Sequence, residues 1–323
     1  MVPRVPDPDQ LQTSTGTRDG APQATAPTVL VFGLKPERLI DDEGRIDAFL
    51  EAPTQEQTET LVEAVRSGVE AGGHVLAIVP QWLKGDALLR LQMVESALDD
   101  ESLTIYETPL PPLAGAVLAS LASALAQHLR SRGLLVSLLP EIEAELHVFT
   151  WLGSVSGLST PAPSLTQHLA SLTPGSAFGV SSYPEPTVHR LGRELPGVPL
   201  PRIDRPARLA VSDHGGDASW IEAVNGALGD LEVREVDPTP NGPSWWGTGK
   251  LVESVAYPVD VEALAQELAN AADPWTCRWC RELIARSPCP LCGHRGRAPR
   301  RRAPAPAPPA APDAPADQHG ART

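Results

Sequence analysis

All four cysteines of this 323-residue chain fall within sixteen consecutive positions, as Cys277-Arg-Trp-Cys280, eight residues, then Cys289-Pro-Leu-Cys292. A Cys-x-x-Cys turn aims two thiolates at one point beside backbone N–H groups, and two such turns supply the tetrahedral four-sulfur set that zinc prefers. Gly293 permits the tight turn that the second pair needs. Four thiolates leave no open position for water or substrate, so the expected role is structural. An iron site of the same geometry stays open. A redox pair fits poorly, because both pairs follow the last expected helix and do not lead from a strand into one. Two disulfides would need an oxidising compartment, and the N-terminus, with prolines at 3, 6 and 8 and no apolar run, shows no secretory signal. The expected location is therefore the cytoplasm.

This segment resembles the short zinc ribbons found at the ends of many bacterial proteins, whose knuckles read Cys-x-x-Cys-Gly. The second knuckle, Cys289 to Gly293, matches closely, while Arg281 stands where the first usually has glycine. Zinc is the implied cofactor. Trp275 and Trp279 are expected to pack over the metal core; Trp279, at a knuckle tip, is also a candidate anchor for a macromolecular partner. His294 reads as a solvated or hydrogen-bonding neighbour of the site.

Outside the cysteines, the best chemical candidate is Ser212-Asp213-His214-Gly215-Gly216-Asp217, just past a strand and opening a helix. Ligands of open α/β sheets bind at such ends. Asp213 and His214 are weak catalytic candidates, against the plain alternative of an Asp217 N-cap after a Gly-Gly turn. Lys35, Gln81, Trp82 and Trp151 also lie at expected strand ends, unpaired by anything in the sequence. Ser244 to Leu251 imitates a phosphate-binding loop but lacks its first glycine and ends in leucine where a magnesium ligand belongs. Gly153 to Gly157 has Val155 where a nucleophile elbow has serine, and no Gly-x-Gly-x-x-Gly follows the first strand.

Apolar runs at Thr28–Phe32, His74–Val79, Leu103–Tyr106, Leu134–Leu139 and Leu146–Trp151 alternate with helical periodicity at 55–71, 85–98 and 113–130. Such alternation predicts an α/β fold with a mostly parallel sheet and flanking helices, Rossmann-like, in one lobe or two. The expected organisation is a disordered segment at 1–27, an α/β unit at 28–152 and an irregular connection at 153–206. A second unit or continuation follows at 207–273, then the ribbon at 274–294 as a separable module, and a disordered Arg then Ala/Pro-rich tail at 295–323. Leu110 to Leu129 is uncharged and nearly as long as a bilayer span. Its paired prolines, Ser120, Ser123, Gln127 and His128 predict a buried helix instead, with no membrane contact.

The tail from Arg295 holds six Arg against Asp313 and Asp317, and the first 27 residues hold two Arg against three Asp; residues 28–294 therefore carry −17 of the total −14. Such a body repels phosphate backbones. The functional expectation is a non-enzymatic adaptor or regulatory protein whose ribbon contacts a protein partner through Trp279 and the arm Arg300, Arg301 and Arg302, in preference to nucleic acid. The alternatives are a nucleotide- or sugar-using transferase or hydrolase with its site at the strand ends, and a nucleic-acid-associated protein acting through ribbon and tail. No small-molecule ligand is assigned.

Overall fold

The computed structural model describes residues 27–296 apart from short segments at 36–38, 41–45, 50–57, 84–85, 99–101, 130 and 193–194. The N-terminal segment and the Arg300–Arg302 arm lie outside the described residues.

Two sheets share one helical layer. The first has the strands β1 (Thr28–Phe32), β2 (Ile46–Phe49), β3 (Val75–Pro80) and β4 (Leu103–Thr108), all parallel, in the order β2-β1-β3-β4. Its central strands, TVLVF and VLAIVP, are buried throughout, as parallel strands covered on both faces must be. Helices α1 (Thr58–Gly72) and α2 (Asp86–Leu98) cover one face around Leu30, Phe32, Leu61, Val65, Leu91 and Val94.

The other face packs on α3 (Pro112–Leu129) and α4 (Arg132–Ala144). Helix α3 touches strands of both sheets, which explains its composition. Alanine, glycine and serine let backbone approach backbone on every side, and only Gln127 and His128 of its described residues are exposed. The span-like hydropathy is therefore that of a core helix.

The second sheet contains β5 (His147–Leu152), β6 (Phe178–Tyr183), β7 (Thr187–Arg190), β8 (Ala207–Asp213), β9 (Glu232–Val236) and β10 (Leu251–Pro258), in the order β7-β6-β5-β10-β8-β9. Only β8–β9 is a parallel pair there. The α/β class with flanking helices holds, with a parallel first sheet and a mixed second one. The run at 134–139 is helical, part of α4. The strand at 147–152 pairs into the second sheet, and the stretch from 153 contributes two more of that sheet's strands beside the short α5 (Leu165–Ser171). The sequence already suggests a helix at 164–171 and a strand at 177–182, which match α5 and β6; the edge strand β7 carries no such signal. Helix α6 (Ala218–Leu228) covers the outer face, and α8 (Val261–Ala272) joins α3 on the inner one.

The cysteine ribbon, built on β11 (Trp275–Thr276) and β12 (Leu283–Ile284), is docked on the body. Leu283, Ala285 and Leu291 pack against the main core. Ser131, the N-cap of α4, donates through Oγ to the carbonyl of Leu283 (3.2 Å). Arg132 meets Glu282 at 2.9 Å and Arg286 meets Glu141 at 3.0 Å. Gly133 has no room for a side chain, since a Cβ there would lie 2.6 Å from the carbonyl oxygen of Leu283. The ribbon, expected from the sequence as a separable module, is packed against the body along α4.

Candidate functional site

The inner face of the second sheet is apolar except for one row. Strand register places Glu253 of β10 between Thr150 of β5 and Ser212 of β8. All three are almost fully buried. Glu253 Oε1 accepts from the indole N–H of Trp246 (2.9 Å) and from the backbone N–H of Leu113 in the first turn of α3 (3.4 Å); Oε2 is hydrogen-bonded to the Thr239 hydroxyl. Burial pushes the Glu253 carboxyl above its ordinary range, and these hydrogen bonds only partly oppose the shift. The Thr150 hydroxyl is buried with no hydrogen-bond partner. A buried hydroxyl left unpaired costs about 1–3 kcal/mol.

Local geometry crowds the row. Helix α7 (Gly242–Trp246) carries Trp246 and ends at Gly247, in the left-handed region (φ 65°). The sequence that imitates a phosphate loop therefore places an indole on a carboxyl. Gly242 is required here, because a Cβ would lie 2.4 Å from Thr239 Oγ1 and 3.0 Å from Glu253 Oε2. His214 Nε2 lies 3.3 Å from Thr239 Oγ1, extending the hydrogen-bonded chain toward the surface. Burial holds the His214 imidazole below its usual range against the opposing charge of Asp213.

The loop that the sequence singled out is mostly spent on itself. Asp213 accepts from the Gly216 N–H (2.8 Å), and Asp217 caps α6 by accepting from Ser219 N–H (3.0 Å). Gly216 serves close packing, with a Cβ there 2.1 Å from Val252. Of that loop, Ser212 belongs to the buried row and His214 reaches it through Thr239. Lys35 pairs with Asp237, while Trp82 donates to the Leu110 carbonyl (3.0 Å) and lies 5.9 Å from Trp245. Asn241 donates to the Gly33 carbonyl (2.8 Å), tying the end of β1 to the loop before α7. The carboxyl ends of β1, β3 and β8 therefore meet around the start of α3. Glu253, Thr150, Thr239 and Trp246 escaped the sequence reading, although a glutamate inside LVESVAY is a charge in a buried strand and signals a partner.

Three open clefts offer less. The largest, about 490 Å³, contains Arg205, which Glu145 (3.3 Å) and Glu267 (3.2 Å) already neutralise. One of about 410 Å³ beside α6 is lined by Asp213, Glu222 and Glu235 and would repel an anion. A groove of about 330 Å³ shares His147 with the first.

In the ribbon, the four Sγ atoms lie within 4.8 Å of one another. Cys277 and Cys292 are 3.7 Å apart, as are Cys280 and Cys289. Burial works to raise the Cys277 thiol, but N–H groups of Trp279 and Cys280 and the neighbouring sulfurs bring it down to about 7. The four sulfurs are thus compatible with a metal ion. Trp279 is 72 % exposed and stacks beside His294, with ring centroids 6.4 Å apart.

No family model and no curated protein matches the sequence. Among solved structures, a DegV family protein from Corynebacterium glutamicum has the same fold (TM-score 0.53, 15% identity), covering 72% of this chain and 97% of its own. A fatty-acid-binding DegV family protein from Thermus thermophilus follows (TM-score 0.51, 13% identity, 72% and 99%). A stearic-acid-binding protein from Eubacterium ventriosum is similar (TM-score 0.50, 12% identity, 73% and 99%). These findings correct the adaptor expectation and both of its alternatives. The body shares its fold with proteins that bind fatty acids, stearic acid in one case. The preference for a protein partner over a small-molecule ligand falls with it. An isolated ribbon looks like a contact module in sequence because docking on α4 cannot be read there.

Proposed function

We propose that this protein binds a long-chain fatty acid without transforming it, with the ligand's carboxyl group at the buried row of Thr150 and Glu253. The observation that carries this reading is the near-complete coverage of two solved fatty-acid and stearic-acid binders, 99% of each, by the body of this chain. The chemistry of the row supports it. Burial shifts Glu253 toward its neutral form, which tolerates a ligand carboxylate better than the ionised form does, and the Thr150 hydroxyl can serve as a donor. Beside the row, Leu152, Phe178, Val180, Trp246 and Leu251 form an apolar cluster suited to an alkyl chain. Those side chains part when the ligand enters. Organic extraction of purified protein followed by mass spectrometry should yield a fatty acid, and delipidated protein should bind radiolabelled palmitate saturably at one site. Thr150→Val should weaken that binding about ten- to a hundredfold, the worth of one hydrogen bond to a charged group. Absence of both co-purified lipid and saturable binding would end the reading.

Within the same proposal, Cys277, Cys280, Cys289 and Cys292 hold one zinc ion in a closed, structural site. Reduced thiolates in that role suit a cytoplasmic protein. Elemental analysis should find one zinc per chain; four freely titrating thiols and no metal would refute this part.

A further inference from the structure

We propose that the four-cysteine centre is a metal-dependent clasp: its ion fixes the ribbon, the ribbon fixes α4, and α4 sets the first turn of α3 where the buried row is built. The proposal rests on the zinc and fatty-acid readings above and assigns their coupling.

The contacts run without a gap. A ribbon of two-residue strands has almost no core of its own: Ile284 is its one fully buried residue besides Cys277 and Cys289. Its shape therefore depends on the ion, as in small metal domains that fold only when loaded. The loaded ribbon meets α4 at both ends, through Ser131, Arg132 and Gly133 at the start and Glu141 near the finish. One helical residue beyond Glu141 and Ile142, the nearly buried Glu143 accepts from the Thr108 hydroxyl (2.6 Å) and is hydrogen-bonded to Tyr106. The charge of Arg286, from the ribbon, acts on this same carboxyl. Thr108 Oγ1 in turn accepts from the Leu110 N–H (3.3 Å), which fixes the turn between β4 and α3. The Leu110 carbonyl receives the Trp82 indole, and three residues on, the Leu113 N–H meets Glu253.

This arrangement gives metal occupancy a lever on the row without any contact to it. Apo protein loses the fitted face against Gly133 and Glu141, α4 loosens, and Thr108 no longer holds the turn in one position. Coupling free energies between sites in proteins correspond to about 5–150-fold in affinity. We expect palmitate affinity to fall at least about fivefold on metal loss and to return on reloading.

The full-length protein serves for the test. Zinc is released by titrating the thiols with a mercurial, removed by gel filtration, and restored after reduction with dithiothreitol and added zinc. Amide exchange over α4 and the 108–113 turn, together with palmitate binding, is read in the loaded, stripped and reloaded states. Faster exchange in both segments and weakened binding, both reversed on reloading, are the expected result. Gly133→Ala separates docking from metal binding: it should keep one zinc per chain yet show the exchange pattern of the stripped protein. Unchanged exchange over α4 and the turn in stripped protein overturns the clasp, as does a Gly133→Ala protein that behaves as wild type. If the loaded protein binds no palmitate, the fatty-acid reading fails and, with it, the proposed effect on affinity, while amide exchange still decides the mechanical coupling. If purified protein holds no metal, the zinc reading fails and the clasp with it.

Discussion

Glu253 is the residue on which the candidate site turns, and its protonation can be tested through stability. Its carboxyl titrates above the ordinary range in the folded protein, chiefly because burial penalises the charged form. Below the unfolded value both states are protonated and the group is neutral in its effect. As pH rises past that value the unfolded chain releases its proton first, so stability is lost until the folded group ionises, at up to about 1.4 kcal/mol per pH unit. Glu253→Gln keeps an acceptor for Trp246 and Leu113 and a polar group facing the Thr239 hydroxyl but cannot ionise. The variant should match wild type near pH 4 and exceed it in denaturant midpoint at pH 7 to 8. Equal midpoints across that range would show that Glu253 is charged when buried. Thr150 supplies a companion case. Because its hydroxyl is unpaired, Thr150→Val should leave ligand-free stability unchanged or raise it by about 1 kcal/mol while it weakens palmitate binding. A variant equally damaged in both would place Thr150 in the packing alone.

At the scale of elements, α4 and the ribbon stabilise each other. Removing residues 275–323 strips Leu283, Ala285 and Leu291 from the core and leaves Glu141 and Arg132 without their ribbon partners. The melting temperature of the remaining body should fall by several degrees, since each 1 kcal/mol is worth about 2–4 °C in a domain of roughly 150–250 residues. An unshifted melting curve would restore the ribbon as a separable module. Most elements of this fold were legible from sequence because their signals are local: TVLVF, VLAIVP and the periodic helices at 58–72 and 86–98 carry their own patterns. The ribbon's four sulfurs were equally plain from spacing. The docking of the ribbon was not, because it depends on the absence of a Cβ at Gly133, which a sequence shows only as one more glycine. Nor was the buried row, because Thr150, Ser212 and Glu253 are far apart in the chain and become neighbours only through antiparallel register. The strand at 147–152 follows four others in sequence yet crosses to a different sheet, a step that hydrophobic pattern does not encode.

The whole molecule carries a net −17 over residues 28–294, and the proposed ligand is an anion. At low ionic strength the summed field of such a body works against a carboxylate well before it reaches the crevice, because the Debye length is about 30 Å at 0.01 M salt. At 0.1 M it shrinks to about 10 Å, and only nearby charges remain felt. Local charge near the row is modest: Lys35 is paired with Asp237, and His214 is held below its usual range by burial. Salt should therefore speed the encounter of a fatty-acid anion with this protein, the reverse of its effect on steered, oppositely charged pairs. Stopped-flow measurements with decanoate, which stays dispersed at the concentrations needed, should show the association rate rising between about 0.01 and 0.1 M salt. Decanol, with the same chain and no charge, should show no such rise, and the dissociation rate of decanoate should change little because the bound head group lies among buried, near-neutral partners. A decanoate association rate that falls with salt would mean that a basic surface governs entry, and it would move the mouth of the site away from the acidic body.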